Sequence, residues 1–209
     1  MKNVVILAVC LENTIKRVDG HVLDAVLIKN IGVKKMLINI DNLDKTKTYV
    51  CNEVGSSAIA KIIQSLSHKI YSNIPPEQIA SHTFALVYIN DCWQVYENHL
   101  RWAGIKMYSV SEYNEINKNS DTKDILVNEY HLDCMAMAYW HKYNPGYSVT
   151  NLFEVTEERL IGLKLPNTKG WICSETIAAM NYQICMNINK PFTEITPVDW
   201  QVCFMNKGK

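Results

Sequence analysis

The stretch around which the chain is organised reads Gly170-Trp171-Ile172-Cys173-Ser174-Glu175-Thr176-Ile177-Ala178-Ala179-Met180. No Gly or Pro occurs from Ser174 to Met186, and apolar residues recur there at helical spacing, which predicts a single helix. Cys173 then lies in the first turn, where unpaired backbone N–H groups and the positive end of the helix dipole favour a thiolate. Because the thiolate is the nucleophilic form of cysteine, the position suits catalysis, with a small buried hydrophobe as the alternative.

The composition is that of an ordinary globular protein. With 209 residues, the chain is long enough for one domain with a substantial core. Hydrophobic residues make up 48% and charged residues 20%, and 21 basic side chains balance 21 acidic ones. This balance, without a Lys/Arg cluster interleaved with aromatic residues, argues against nucleic-acid binding. No stretch approaches the ~20 apolar residues of a membrane span, so we predict no integral membrane segment.

Cysteine usage indicates a reducing compartment. The seven cysteines, at positions 10, 51, 92, 134, 173, 185 and 203, are odd in number, scattered and without a Cys-x-x-Cys pair. This pattern fits a cytoplasmic setting better than a disulfide framework. The spacing of His131, Cys134 and His141 matches no standard metal site, so we predict a structural role for them. We therefore expect neither a metal nor another cofactor.

Apolar runs near the N-terminus predict buried secondary structure. Val4–Leu11 follows a lone Lys2, and a short lipoprotein signal is the alternative to a strand. Its apolar run is barely long enough for such a signal, and Val9 is bulky where a small residue is wanted, so we predict a strand. Val22–Ile28 fits a strand or a short helix, and Met36–Ile40 is a further apolar run.

The middle of the chain has clearer signals. Tyr49–Val54 reads as a strand, and Ser57 is a suitable N-cap for a helix from Ala58 to about His68. Two β-rich runs, His82–Ile89 and Cys92–Asn98, then flank Asn90-Asp91, a two-residue hairpin loop by composition.

The hairpin sets a register that brings polar side chains together. If Asn90-Asp91 is the loop, opposed positions sum to 181, and His82 faces His99. Glu97 is then the diagonal neighbour of His82 on the same face, within reach of a hydrogen bond to the imidazole. A loop one residue longer or shorter would move Glu97 to the opposite face.

The patterns that follow the hairpin are less regular. The segment Asp124–Tyr143 has the longest helical pattern of the chain, with a predicted core face of Leu126, Tyr130, Met137 and Trp140. The expected elements are a strand at Ile105–Val110, a polar connection over 111–122, helices at Asp124–Tyr143 and Thr156–Leu163, a one-turn helix within Lys190–Trp200 and a last strand at Val202–Phe204.

These elements supply the parts of a cysteine hydrolase. Such an enzyme needs a thiolate, an imidazole to hold or transfer its proton, and a third polar group to orient the imidazole. The sequence offers Cys173 at a helix start, His82 at a strand start and Glu97 on the neighbouring strand.

Several short motifs, in this order, resemble a known family. They are Ser81-His82-Thr83-Phe84-Ala85-Leu86-Val87, Val95-Tyr96-Glu97, Gly104-Ile105, Trp171-Ile172-Cys173-Ser174-Glu175 and Ile195-Thr196-Pro197-Val198-Asp199. With them the chain resembles the circularly permuted NlpC/P60, or permuted papain-like, cysteine hydrolases of the YiiX/YaeF type. In that family the histidine precedes the cysteine, and the order here agrees. The resemblance covers about residues 48–204 and gives residues 1–46 no counterpart.

The resemblance implies an α+β fold in which an antiparallel sheet or barrel packs against helices. It divides a single domain of residues 1–209 into an N-terminal elaboration, 1–46, and a catalytic core, 47–204. It also implies hydrolysis of an amide through a thioester, with Cys173 as nucleophile, His82 as general base and Glu97 as the orienting residue. His99 is the alternative third residue, and Glu175 is expected to interact with the helix dipole rather than to act in catalysis.

The implied substrate is a peptide-like or acyl small molecule. Peptides, cell-wall peptides and aminoacyl amides are the leading class, and we expect a short polar cleft beside Cys173 in that case. A thiol acyltransferase or lipid esterase is the first alternative and would have a long apolar groove there. A non-catalytic binding module is the second alternative, and an intact Cys/His/Glu set argues against it.

Overall fold

A computed structural model describes residues 38–120, 122, 124–148, 150–151 and 170–207. The strands are β1 (Tyr49–Val54), β2 (His82–Ile89), β3 (Cys92–His99), β4 (Gly104–Ser109) and β5 (Asp124–Glu129). The described α-helices are α1 (Ala58–Ile70), α2 (Val110–Asn117), α3 (Cys134–Tyr143), α4 (Cys173–Ala178), α5 (Gln183–Ile188) and α6 (Pro197–Lys207). The expected α+β class is confirmed. The predicted elements at Val4–Leu11, Val22–Ile28 and Thr156–Leu163 lie outside the described residues.

The strands form one open antiparallel sheet in the order β4-β3-β2-β1-β5. Its centre is the β2–β3 hairpin, in which Ile89 faces Cys92 and Ala85 faces Tyr96, as predicted. Asn90 and Asp91 both have positive φ, 52° and 60°, which is the backbone of a type I′ turn. Because the turn has two residues, the predicted register holds, and Glu97 lies on the same face as His82.

Separate apolar cores cover the two faces of the sheet. The first face contributes Val50, Ala85, Val87 and Tyr96 to a core with residues of α4 and α6, such as Ile177 and Trp200. The second face contributes Cys51, Phe84, Leu86 and Val95 to a core with Tyr113 of α2 and Ile38. Side chains alternate between faces along a strand, so Glu97 belongs to the second face and its neighbour Asn98 to the first.

Two elements have the predicted local signals. Strand β1 spans the predicted residues, and α1 begins at Ala58 as expected, although it continues to Ile70. The Ser57 hydroxyl accepts a hydrogen bond from the Ala60 N–H at 3.1 Å, which satisfies one of the free donors of the first turn.

The predictions for residues 111–133 were wrong, whereas residues 134–143 are helical and end at Tyr143 as predicted. The polar connection begins with helix α2, whose first turn is capped by Ser109 Oγ, which accepts from the Glu112 N–H at 3.1 Å. The long helix Asp124–Tyr143 is instead strand β5 followed by α3. Strand β5 pairs along the free edge of β1, and its ladder overrides the helical spacing of the apolar residues. Leu126, predicted in a core face, is accordingly 43% exposed.

The C-terminal predictions also need correction. The single helix expected from Ser174 to Met186 is divided into α4 and α5 at Asn181. The Asn181 side chain accepts from the Gln183 N–H at 2.8 Å and donates to the His131 carbonyl at 2.6 Å, so it replaces backbone bonds that a continuous helix would need. The expected strand Val202–Phe204 belongs to helix α6.

Helix α6 begins with part of a capping box, formed by Thr196 and Asp199. The Asp199 carboxylate accepts from the Thr196 N–H at 2.8 Å, which is one half of a capping box. Pro197, the first residue of the helix, has the backbone angle that the first turn requires. Trp200 and Cys203 then follow at helical spacing and enter the first core.

The described residues all belong to one compact unit, Lys35–Lys209. Ile38 is 2% exposed and packs in the second core, with Ile40 and Leu43 half-buried against it. The part of the expected N-terminal elaboration that the structure describes therefore contributes to the core of the sheet. The division of the domain between residues 46 and 47 stays a prediction.

Candidate active site

Cys173 is the first residue of helix α4, as predicted, and is 2% exposed. The start of this helix is held by Glu175, whose Oε2 accepts from the Ile172 N–H at 2.7 Å. This is the bond that a glutamate at the third helical position makes in a capping box. Ile172, the residue before Cys173, is thereby fixed by a side chain inside the helix.

His82 lies at the first residue of β2 and contacts both of the other predicted residues. Its Nε2 atom is 2.9 Å from Oε2 of Glu97. The ring is also close enough to Cys173 for the two side chains to interact electrostatically. Burial alone would lower the pKa of His82, but the Cys173 thiolate and the Glu97 carboxylate together raise that pKa well above its ordinary value. The arrangement therefore favours the protonated imidazolium form of His82.

Glu97 is ionised although it is only 2% exposed. Burial raises the pKa of its carboxyl group, but the hydrogen bond and charge of His82 outweigh burial and bring that pKa to about 2. Oε1 accepts a bond from Trp102 Nε1 at 3.0 Å and another from the Tyr108 hydroxyl. Both carboxylate oxygens are thus occupied, and the side chain is oriented toward His82.

His99 lies beside His82 but is not its hydrogen-bonding partner. The two rings meet edge to face, with centroids 5.0 Å apart. Nδ1 of His99 accepts from the Arg101 N–H at 2.9 Å, and this bond requires an unprotonated nitrogen. Burial and then the positive charge of His82 lower the pKa of His99 to about 4. Of the two candidates for the third position, Glu97 is the one bonded to the imidazole.

A cleft of about 300 Å³ opens beside His82. Its lining includes polar residues such as Ser81, Arg101 and Glu53 and apolar residues such as Ile59 and Ile63. Glu53 is the direct cross-strand partner of His82 in the β1–β2 ladder, so its side chain lies on the same face. The cleft therefore combines apolar walls with charged groups next to the imidazole.

Aromatic rings pack around Trp171, two residues before Cys173. The Trp171 ring lies 4.4 Å from that of Trp140 and 5.1 Å from that of Phe192, centroid to centroid. Tyr182 and Tyr143 border these rings and are 57% and 63% exposed. One side of the Cys173 segment thus carries a partly exposed apolar surface.

Glu175, which we expect to lie outside the catalytic set, holds the start of α4. Besides the bond from Ile172, its two oxygens accept from Asn151 Nδ2 at 3.0 and 2.9 Å. Burial raises the pKa of Glu175 to about 8, against the opposing effect of these bonds. Its contacts lie at the base of α4 and not at the His82 imidazole.

Trp102 and Tyr108, which hold Glu97, were not foreseen. Glu97 faces Lys106 in the β3–β4 ladder, so Tyr108 is its diagonal neighbour on the same face. The strand containing Tyr108 was predicted, but its register with β3 was not. The connection contains a 3₁₀ turn, Leu100–Trp102, and a left-handed Ala103, and the sequence has no pattern that indicates them.

The described residues were also searched for metal sites, disulfides and membrane spans. His131, Cys134 and His141 do not form a group that could hold a metal ion within the described part of the chain. The six cysteines found there are free. In the same residues we find no helix with the length and apolar character of a membrane span.

The structure thus brings Cys173, His82 and Glu97 together. No protein-family model matches the chain, and a search of curated proteins gave no match either.

Proposed function

We propose that this protein is a cysteine hydrolase that cleaves an amide bond through a thioester intermediate, with a permuted papain-like fold of the NlpC/P60 type. The observation that carries the proposal is the continuous chain of side-chain contacts from Cys173 through His82 to Glu97. The raised pKa of His82 and the lowered pKa of Glu97 favour an imidazolium held by a buried carboxylate, which is the pair that the chemistry needs beside a cysteine. An α+β structure with an antiparallel sheet and a cysteine-bearing helix is compatible with this fold.

The proposed reaction has two stages. The Cys173 thiolate attacks the amide carbonyl carbon, a C–S bond forms, and the carbonyl oxygen becomes an oxyanion. When the oxyanion collapses, the C–N bond breaks, and the proton of the His82 imidazolium passes to the leaving amine. In the second stage His82 takes a proton from water, which attacks the thioester. The C–S bond then breaks, and the carboxylic acid leaves with the thiolate restored.

The size and the charged groups of the cleft beside His82 support a short peptide-like substrate. Its volume of about 300 Å³ holds a small number of residues, and its hydroxyl, carboxylate and guanidinium groups can bond to amide and charged groups. Peptides, cell-wall peptides and aminoacyl amides have this chemistry. A cytoplasmic setting is part of the proposal, since free cysteines and a thiolate nucleophile persist in a reducing compartment.

The aromatic surface around Trp171 favours a second candidate, an acyltransferase or esterase acting on acyl chains. Trp140, Trp171 and Phe192 provide an apolar contact surface within two residues of the nucleophile. An acyl group that lay on this surface would place its carbonyl carbon near Cys173. The nucleophile and imidazole would then have the same roles as in the amidase.

One experiment tests the chemistry and separates the two substrate classes. The full-length protein is incubated with panels of peptide-amide and acyl-ester probes, and mass spectrometry locates the labelled residue. We expect labelling at Cys173 by amide probes, with no labelling or turnover in Cys173→Ala. Cys92→Ala is the matched control, because Cys92 is an exposed thiol on the hairpin, and it is expected to behave as the wild type. Turnover by Cys173→Ala would overturn the proposal, and labelling by acyl esters alone would favour the second candidate.

A further inference from the structure

Asn98 follows Glu97 directly on β3, and its side chain points to the other face of the sheet. It is completely buried. Its Nδ2 atom donates to three acceptors: the Thr176 hydroxyl at 2.8 Å, the Trp171 carbonyl at 3.1 Å and the Gly146 carbonyl at 3.2 Å. Two of these acceptors flank Cys173, one on each side along the chain.

Two of the three acceptors also take part in other hydrogen bonds that leave a lone pair for the Asn98 amide. The Thr176 hydroxyl donates its own proton to the Ile172 carbonyl at 3.1 Å, so its lone pairs are left to accept from Asn98. The Trp171 carbonyl also accepts from the Ser148 N–H at 3.1 Å. The Asn98 amide therefore joins the first turn of α4 to strand β3 at the position next to Glu97.

We propose that Asn98 is a positioning residue that sets the contact between Cys173 and His82. The two residues are consecutive in β3 and point to opposite faces of the sheet. Glu97 bonds to the imidazole on one face, and Asn98 bonds to the Cys173 segment on the other. Because both side chains arise from one rigid strand, the relative position of sulfur and imidazole is fixed by the backbone between them. This inference rests on the proposed function, since it assigns a role within the same site.

Asn52 provides a matched control. It is also completely buried, and its ladder partner Thr83 lies on the face of the sheet that carries Ala85 and Asn98. Its side chain accepts from the Thr83 hydroxyl at 3.0 Å, a bond within the sheet that does not involve α4. Substitution of Asn52 therefore perturbs an equally buried amide without releasing the nucleophile segment.

The test measures iodoacetamide alkylation of Cys173 in the full-length protein across a range of pH, with Cys92 as an internal reference thiol. Asn98→Asp keeps the shape but replaces the donor by a carboxylate, and Asn98→Ala removes the side chain. In folded samples, verified by circular dichroism, we expect both to lower the Cys173 rate at about pH 6.5 roughly tenfold, toward the rate of His82→Ala. Asn52→Asp and Asn52→Ala are expected to keep the wild-type pH profile.

The outcomes separate this inference from the proposed function. If Cys173 of the wild type reacts no faster than Cys92 at that pH, the proposed function is wrong. If the wild type is fast and the folded Asn98 variants remain fast, the inference alone is wrong. An equal loss in the Asn52 variants would also overturn it, because the effect would then be general.

Thr176→Val tests the inference if neither Asn98 variant folds. It keeps the side-chain shape and removes the nearest of the three acceptors. We expect a smaller loss of the Cys173 rate in the same direction, and an unchanged pH profile in this variant would overturn the inference.

Discussion

Glu97 maintains a negative charge in a site that is almost closed to water. Its carboxylate does so because His82, Trp102 and Tyr108 all donate to it. The favourable interaction between the two charged groups raises the pKa of His82 and lowers the pKa of Glu97. Glu97 is therefore expected to control the pH range over which the imidazolium survives.

Replacing Glu97 by Gln should lower the upper limit of the pH range over which the His82 imidazolium persists. The carboxylate helps to raise the pKa of His82, so its loss lowers that pKa, and the alkaline limb of the kcat/KM profile should move to lower pH. A Gln amide also donates to Nε2 instead of accepting from it, which puts the imidazole proton on the wrong nitrogen. We expect kcat/KM at neutral pH to fall on the order of 100-fold.

His99→Gln is the comparison for this prediction, because His99 is the other candidate for the third position. It touches the His82 ring without a hydrogen bond between them, so we expect a smaller loss of kcat/KM and an alkaline limb close to that of the wild type. A larger loss for His99→Gln than for Glu97→Gln would identify His99 as the orienting residue.

The pairing of His82 with Glu97 could be predicted because it depends on one local feature. The two-residue turn at Asn90-Asp91 sets the register of β2 and β3, and the register sets which side chains are diagonal neighbours. Trp102 was missed because the 3₁₀ turn that brings it back to Glu97 has no sequence signal, and Asn98 was missed because its partners come from other elements. The Asn98 amide bonds to residues 48, 73 and 78 positions later in the chain, and no local pattern in the sequence encodes such contacts.

At the scale of elements, helix α4 carries a buried acid at its third position. Glu175 is completely buried, and its folded-state pKa is about 8 against an ordinary value of 4.5. Between these two values the folded state binds the proton more tightly than the unfolded state does. Protonated Glu175 therefore makes its whole contribution to the free energy of unfolding below about pH 4.5, and this contribution is lost as the pH rises toward 8.

Glu175→Gln should remove this dependence, because an amide does not titrate. Relative to the wild type, the free energy of unfolding of the variant should increase with pH across that window, at up to about 1.4 kcal/mol per pH unit. Chemical denaturation at a series of pH values measures the difference. Glu112→Gln is the control, since Glu112 is an exposed glutamate at the same position of α2, with Ser109 as the N-cap. Parallel curves for Glu175→Gln and the wild type would show that Glu175 does not titrate in this range.

The elements that could be predicted have their determinants within a few residues. Helix α1 follows from Ser57 and an apolar stripe, and the β2–β3 hairpin from its turn. The Thr196-Pro197-Val198-Asp199 start of α6 has an equally local signal, which a search for capping boxes would find. Strand β5 is different, because its segment also fits a helix and is settled by pairing with β1, which lies far away in the chain.

At the scale of the whole described unit, the candidate site lies where the two faces of the sheet meet at the strand ends. His82 begins β2 and Glu97 is near the end of β3, on the face of the second core. Cys173 begins the helix that packs into the first core. The contact between sulfur and imidazole thus joins groups supported by different cores, and its geometry depends on the packing of both.

Ile38 tests how far toward the N-terminus the second core extends. This residue precedes the predicted boundary at 46 and 47 but is 2% exposed among core residues. In the full-length protein, Ile38→Ala should lower the free energy of unfolding by about 2–4 kcal/mol, through lost apolar burial and the cavity left behind. Asn42→Ala, an exposed change in the same segment, should stay within about 0.5 kcal/mol of the wild type. Equal stabilities of the two variants, measured by urea denaturation, would mean that the segment is an elaboration and that the core begins with β1.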